Sequence, residues 1–265
     1  MRYPLRLAAV AFVLVMRLCP PVYPLEYLGE SAVDVERLLP APPSTESEES
    51  KSELKIMLHI QKHRTAEQID RCKAEAKLGM AAFQPVFGPW FTADNLPEME
   101  KFFKRIHGDA KFFSDSAKRH FNRPRPHKIE ARIQPVVEKD NVDKDNDDEP
   151  SYPSGHSTRG MIYALMLSEI APEKKAALLE RGRAIGWDRV IAGVHYPSDV
   201  AAGRTLGQAI EQALVADPGF RGDLKRVKAE FEEVQERQTN SQEPTASDTS
   251  QDGLPFVSSG GRRKN

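Results

Sequence analysis

SYPSGHSTRG (residues 151–160) stands between an acidic loop and a long apolar run, and it groups Ser154, Gly155 and His156 where a helix has to begin. Pro153 biases Tyr152 towards an extended backbone, because the proline ring crowds the residue before it. Ser154 can cap the helix after it, its hydroxyl taking a first-turn N–H that has no intrahelical acceptor. Gly155 lets a ligand come close to the backbone. The helix expected over 157–170 would then present free N–H groups and a positive dipole end, a ready anion site. On these residues alone, a capped helix with a passing histidine and an anion site are equal readings.

Outward from this stretch the dominant period is helical. The apolar segment 157–170 is interrupted by Pro172, which suits the first turn of a next helix reaching about Val194. A further helix is expected over 198–215, with Ser198 as N-cap and Asp199 in its first turn, and a charged one over 219–236. Upstream, Met99, Phe102, Phe103, Ile106, Phe112 and Phe113 fall on helical spacing within 97–121. Leu54, Ile56, Met57, Ile60, Ile69, Cys72 and Ala76 do so within 53–79. No stretch alternates convincingly with period two. The fold class is all-α, a compact multi-helix bundle.

The 265 residues, 39% hydrophobic, suffice for one sizeable core. A formal charge of −1 gives the chain no general pull towards nucleic acid. Residues 1–24 read as an export signal: Arg2 and Arg6 open it, Leu7 to Met16 form a short apolar run, and Pro20-Pro21 break it. That run is too short to span a bilayer comfortably, so no stable membrane anchor is expected after cleavage, and the mature protein would be periplasmic or secreted. Three of the 38 basic residues and no acid lie in this segment, so its removal leaves 35 basic against 39 acidic residues, a formal −4. Cys72 would then be the sole cysteine, which excludes an intrachain disulfide and reads as a buried small apolar group. Residues 25–52, rich in Pro, Ser and Glu, read as a linker, 53–237 as the folded domain, and 238–265 as a disordered tail.

Two further segments concentrate cations and hydrogen-bonding groups. In AKRHFNRPRP (117–126), Lys118 and Arg125 are seven positions apart, two turns on a helix, so both can face one side. Pro124 and Pro126 end that helix. In GWDRVIAGVHYPSDV (186–200), Arg189, His195 and Asp199 come in turn at spacings of six and four. A carboxylate four residues on can accept the imidazole Nδ1–H, fixing the tautomer and raising the basicity of Nε2. Such a histidine is suited to nucleophilic attack.

Together, Lys118-x6-Arg125-Pro126, Pro153-Ser154-Gly155-His156 and Arg189-x5-His195-x3-Asp199 resemble the signature of the PAP2/vanadium haloperoxidase superfamily. The surrounding text, including SAKRHFNRPRP and ADPGF (216–220), is most similar to bacterial class A non-specific acid phosphatases, over about residues 53–232. The resemblance implies a metal-free, cofactor-free hydrolysis of small phosphomonoesters. Lys118, Arg125 and Arg189 would surround the phosphoryl oxygens, with the backbone of Ser154 and Gly155 completing the cradle. His195 would be the nucleophile, oriented by Asp199, and a protonated His156 the general acid and base. Asp188 stands where the family usually has Ser, which places a carboxylate beside the anion site and would weaken affinity or shift the pH optimum. Tyr196-Pro197 after His195 looks more like the wider superfamily. The alternatives are a vanadate-dependent haloperoxidase and a catalytically weak phosphate-binding protein, and a homodimer stays open.

Other signals carry less. His59 and His63 lie one helical turn apart without a third ligand, so no metal site is expected there. The acidic run 140–149 resembles a calcium loop but lacks its turn Gly and closing Glu, and reads as a solvated rim of the site.

Overall fold

The computed structural model describes residues 25–136 and 149–242. Ten α-helices succeed one another among them: α1 (Val35–Leu38), α2 (Glu48–His63), α3 (Ala66–Ala74), α4 (Gln84–Phe87), α5 (Pro97–Phe121), α6 (Pro126–Ile129), α7 (Gly155–Ile170), α8 (Lys175–Ile191), α9 (Pro197–Ala216) and α10 (Pro218–Gln242). No strand occurs among the described residues, so the chain is all-α, as its periodicity implied. The expected export signal lies outside the described residues, as do the acidic run up to 148 and the tail beyond 242.

α5 matches the segment that its apolar spacing predicts. Met99, Phe102, Phe103, Ile106, Ala110, Phe113 and Ala117 form its buried stripe. Pro97 opens it, Glu98 and Glu100 sit in its first turn and Lys118, Arg119 and His120 in its last, all in the sense the helix dipole favours. The Glu230 carboxylate of α10 takes the N–H groups of Glu98 and Met99 at 3.0 and 2.9 Å, replacing a local cap.

α7 is apolar around most of its circumference and occupies the centre, packed chiefly on α8 and α9. Those crossings are close because glycine leaves room. A Cβ on Gly182 would stand 2.8 Å from the Gly160 carbonyl oxygen, and one on Gly203 would stand 2.6 Å from that of Ser154. α9 is thereby drawn against the beginning of α7, where the motifs meet.

Residues 25–52, expected as a linker, are instead laid on the core. Leu28, Val35 and Leu39 are buried in the main cluster beside Phe102 and Phe220. The fully buried Asp109 carboxylate accepts the N–H groups of Glu26 and Tyr27 at 2.8 and 3.2 Å, and the Tyr27 hydroxyl donates to Asp223 at 2.8 Å. A few apolar anchors and borrowed hydrogen bonds outweigh a composition that favours disorder. At the other end, α10 continues five residues past the expected domain limit at 237.

Candidate active site

The first motif reaches the site through a turn rather than a continuous helix. α5 ends at Phe121, and Asn122 adopts the left-handed conformation (φ 44°) with its N–H on the Lys118 carbonyl at 2.9 Å. Asn tolerates that region better than most residues. Lys118 therefore lies in the last turn of α5 and Arg125 at the N-cap of α6, brought together by the reversal and not by helical period. Both are buried, and both meet Glu149: Lys118 Nζ is 2.6 Å from Oε2 and Arg125 Nη2 is 3.6 Å from it. Arg125 Nε also donates to the Glu149 carbonyl at 3.0 Å. Burial lowers the Lys118 ammonium from its usual pKa. Burial would raise Glu149, but Lys118, with Lys111 and Arg125, holds it below the usual carboxylate range.

α7 starts at Gly155, two residues before the expected start. Ser154 is its N-cap, and its hydroxyl faces the Ser157 N–H at 3.4 Å. The Tyr152–Pro153 peptide is cis. The Ser154 N–H, expected to serve an anion, is committed to the Asp199 carbonyl at 3.0 Å and fastens α9 to α7. The main-chain donors that a helix start leaves over are thus those of Gly155 and His156.

α9 begins one residue earlier than expected, at Pro197, and its N-cap is Tyr196 rather than Ser198. The Asp199 side chain takes the place of a capping group, its Oδ2 accepting the Tyr196 N–H at 2.9 Å and facing His195 Nδ1 at 3.4 Å. With Nδ1 turned to the Asp199 carboxylate, Nε2 carries the lone pair, and it lies 3.4 Å from Arg125 Nη1, which donates to the Val194 carbonyl at 3.0 Å. His195 is 3% exposed; burial, then Arg125, Lys118 and Arg189, push it well below the usual histidine range. His156 Nε2 lies 3.1 and 3.2 Å from the carbonyls of Glu75 and Ala76 at the end of α3, which leaves Nδ1 for other chemistry. Burial, Arg189 and Arg159 push it well below that range too. The protonated state expected of His156 therefore requires an anion that offsets these cations.

Arg189 is 3% exposed, and its Nε and Nη1 have no hydrogen-bond acceptor among the described residues. Burial, reinforced by Arg125, lowers it to about 10. A buried guanidinium costs several kcal/mol unless its donors are met, so two orphaned nitrogens mark a place for an anion.

Asp188, expected to bring a carboxylate beside the anion site, is paired elsewhere. Its buried carboxylate turns to α3, where Arg71 binds both oxygens at 2.8 and 2.7 Å, with Arg181 at 3.9 Å. Its charge is thus offset on the side of α3. Its carbonyl accepts from Cys72 Sγ at 3.2 Å, and Cys72 is buried as expected.

Sequence reasoning missed Arg123. It is 5% exposed, binds Asp199 Oδ1 and Ser198 Oγ through Nη1 at 2.7 Å each, and reaches Glu53 Oε2 and Ser50 Oγ through Nη2 at 2.9 and 3.2 Å. It lies two residues from a motif arginine, but its partners on α2 and α9 are 70 or more positions away and leave no local signal.

The PAP2 superfamily model matches residues 108–222. The chain is 34% identical to a non-specific acid phosphatase of Providencia stuartii over 214 residues, 78% of this chain and 85% of that one. It is 35% identical over 150 residues to a non-specific acid phosphatase of Salmonella typhimurium, 56% of this chain and 59% of the other. With an acid phosphatase of Zymomonas mobilis it shares 36% identity over 121 residues, 44% of each chain.

Proposed function

This chain belongs to the PAP2 superfamily and is a phosphatase, and we propose that it is an exported enzyme hydrolysing small phosphomonoesters, without a metal, through a phosphohistidine on His195. The observation that carries the reading is Arg189, a buried guanidinium with two unmet donors in a site that also holds Lys118, Arg125 and His195. A phosphoryl group offers three charged oxygens and meets that demand, with the Gly155 and His156 amides adding dipoles at the start of α7.

In the first step the His195 Nε2 lone pair forms a bond to phosphorus while the bond to the ester oxygen breaks. His156 gives its proton to that oxygen, and the alcohol leaves neutral. Asp199 offsets the positive charge that develops on the His195 ring. In the second step water loses a proton to His156 and attacks phosphorus, the P–N bond breaks, and phosphate leaves with His195 restored. The cations act most strongly where negative charge accumulates in the transition state. His156 needs a proton that burial and its neighbours disfavour, and a phosphate ester near its second pKa of about 6 both offsets those neighbours and brings one. The optimum is therefore mildly acidic.

Hydrolysis of p-nitrophenyl phosphate in excess chelator tests the reading. Undiminished turnover is expected, with His195→Ala inactive and His156→Ala losing far more on alkyl phosphates than on this activated ester. Loss of turnover on chelation, or an active His195→Ala, would overturn it. Robust bromide oxidation with vanadate and peroxide would favour a haloperoxidase instead.

A further inference from the structure

We propose that Arg123, held by Glu53 of α2, is a positioning residue that keeps the Asp199 carboxylate ionised and reserves one of its oxygens for His195. The proposal rests on the reading of His195 as nucleophile. It extends the working machinery to α2, which lies before the 108–222 match to the superfamily.

Asp199 divides its two oxygens. Oδ1 receives Arg123 at 2.7 Å, while Oδ2 receives the Tyr196 N–H and faces His195 Nδ1. A carboxylate with no exposed surface favours its protonated form unless a charge opposes this. If Asp199 took a proton, it would become a weaker acceptor for Nδ1–H. The His195 proton would then gain freedom to move to Nε2 and remove the lone pair that attacks phosphorus.

Arg123 is built not to move. Four side chains from two helices fill its Nη donors, and its guanidinium carbon stands 3.7 Å above the Tyr196 ring. Glu53 fixes the arrangement from the far side, its Oε1 accepting the Ser198 N–H at 2.6 Å and Oε2 the Ser198 hydroxyl at 2.9 Å. One carboxylate of α2 therefore sets both the first turn of α9 and the arginine that neutralises Asp199.

The groups around Asp199 define the pH dependence. From α2 come Glu53 and Ser50, from the α5–α6 turn Arg123, from the stretch before α7 Ser151 and Tyr152, and from the start of α9 His195, Tyr196 and Ser198. Burial pushes the Tyr152 and Tyr196 phenols up to about 12, so neither titrates in the acid range. Burial raises Asp199 and Arg123 opposes it most strongly. Removing Arg123 must therefore raise Asp199 further, and the ionised form would be populated only at higher pH.

The test is kcat and KM against pH for the full chain and its Arg123→Lys, Arg123→Ala and Glu53→Gln variants. Arg123→Ala is expected to lose ~10- to 100-fold in kcat, as for other residues that hold a reacting group in place, with KM little changed. Its acid limb should move to higher pH, and added guanidinium should restore part of the rate. Arg123→Lys should retain most of the rate with a small shift of the limb to higher pH, and Glu53→Gln, which takes a negative charge away from Arg123 and Asp199, should move it slightly to lower pH. A loss confined to KM, or acid limbs identical to the parent, would overturn the proposal. If Arg123→Ala does not fold, unshifted limbs in both Arg123→Lys and Glu53→Gln overturn it alone. An active His195→Ala refutes the nucleophile itself, whereas an inactive one with unshifted Arg123 variants refutes only the positioning role.

Discussion

Arg123 and Arg189 are buried to a similar degree, 5% and 3% exposed, yet their surroundings differ. Arg123 has acceptors on both terminal nitrogens and an aromatic ring beneath it, whereas Arg189 keeps two donors without acceptors among the described residues. Taking a guanidinium out of water is costly in either place. For Arg123 the cost is met inside the protein, by Asp199 and Glu53. For Arg189 it is left to be met by an anion. Burial alone does not separate a structural cation from a ligand-binding one; the count of satisfied donors does.

Substitution should separate the pair most sharply. Arg189→Met is expected to lower kcat/KM by ~10²- to 10³-fold, the usual cost of one transition-state donor, with the melting temperature unchanged or higher. Arg123→Met strands the fully buried Asp199 carboxylate and the half-buried Glu53, and should destabilise by roughly 3–5 kcal/mol in urea titration. Equal stability losses would erase the contrast. Glu149 offers a smaller effect, because its carboxylate already sits on Lys118 and Arg125 and competes with any other anion there. Glu149→Gln should lower KM for a phosphomonoester by about 5-fold, equivalent to ~1 kcal/mol. A higher KM would show that Glu149 helps to assemble the site.

The smallest effect concerns pH. His156 and His195 sit well below the histidine range in the folded protein, while the unfolded chain titrates near 6.5. Below about pH 6.5 the unfolded state binds more protons, so stability must fall with pH. The melting temperature should drop by ~2–4 °C for each kcal/mol lost, and inorganic phosphate, by offsetting the cations, should flatten that decline. A phosphate-independent slope would contradict the electrostatic account of the site.

Much of this was legible in the chain. The apolar spacing of 97–121 marks α5 to its end residues, since a helix with one buried stripe writes its period into the sequence. Residues of the three motifs meet in the fold, the Ser154 N–H on the Asp199 carbonyl and Arg125 beside His195. Less legible were contacts made across sequence distance. Nothing near Asp188 announces Arg71, 117 positions away, so its carboxylate reads as a neighbour of the anion site when it belongs to α3. Nothing near Ser154 announces that Asp199 takes its N–H. Residues 25–52 mislead for another reason: a few anchors such as Leu28 and Val35 order a segment whose average composition favours disorder.

The central claim is that phosphorus passes through His195. Rapid quenching of turnover into alkali, which preserves phosphohistidine, with subsequent peptide mapping tests it directly. A phosphoryl group is expected on His195 in the parent and in a slowly turning His156→Ala variant, and on no residue in His195→Ala. Label on another residue, or full turnover with none on His195, would contradict the account.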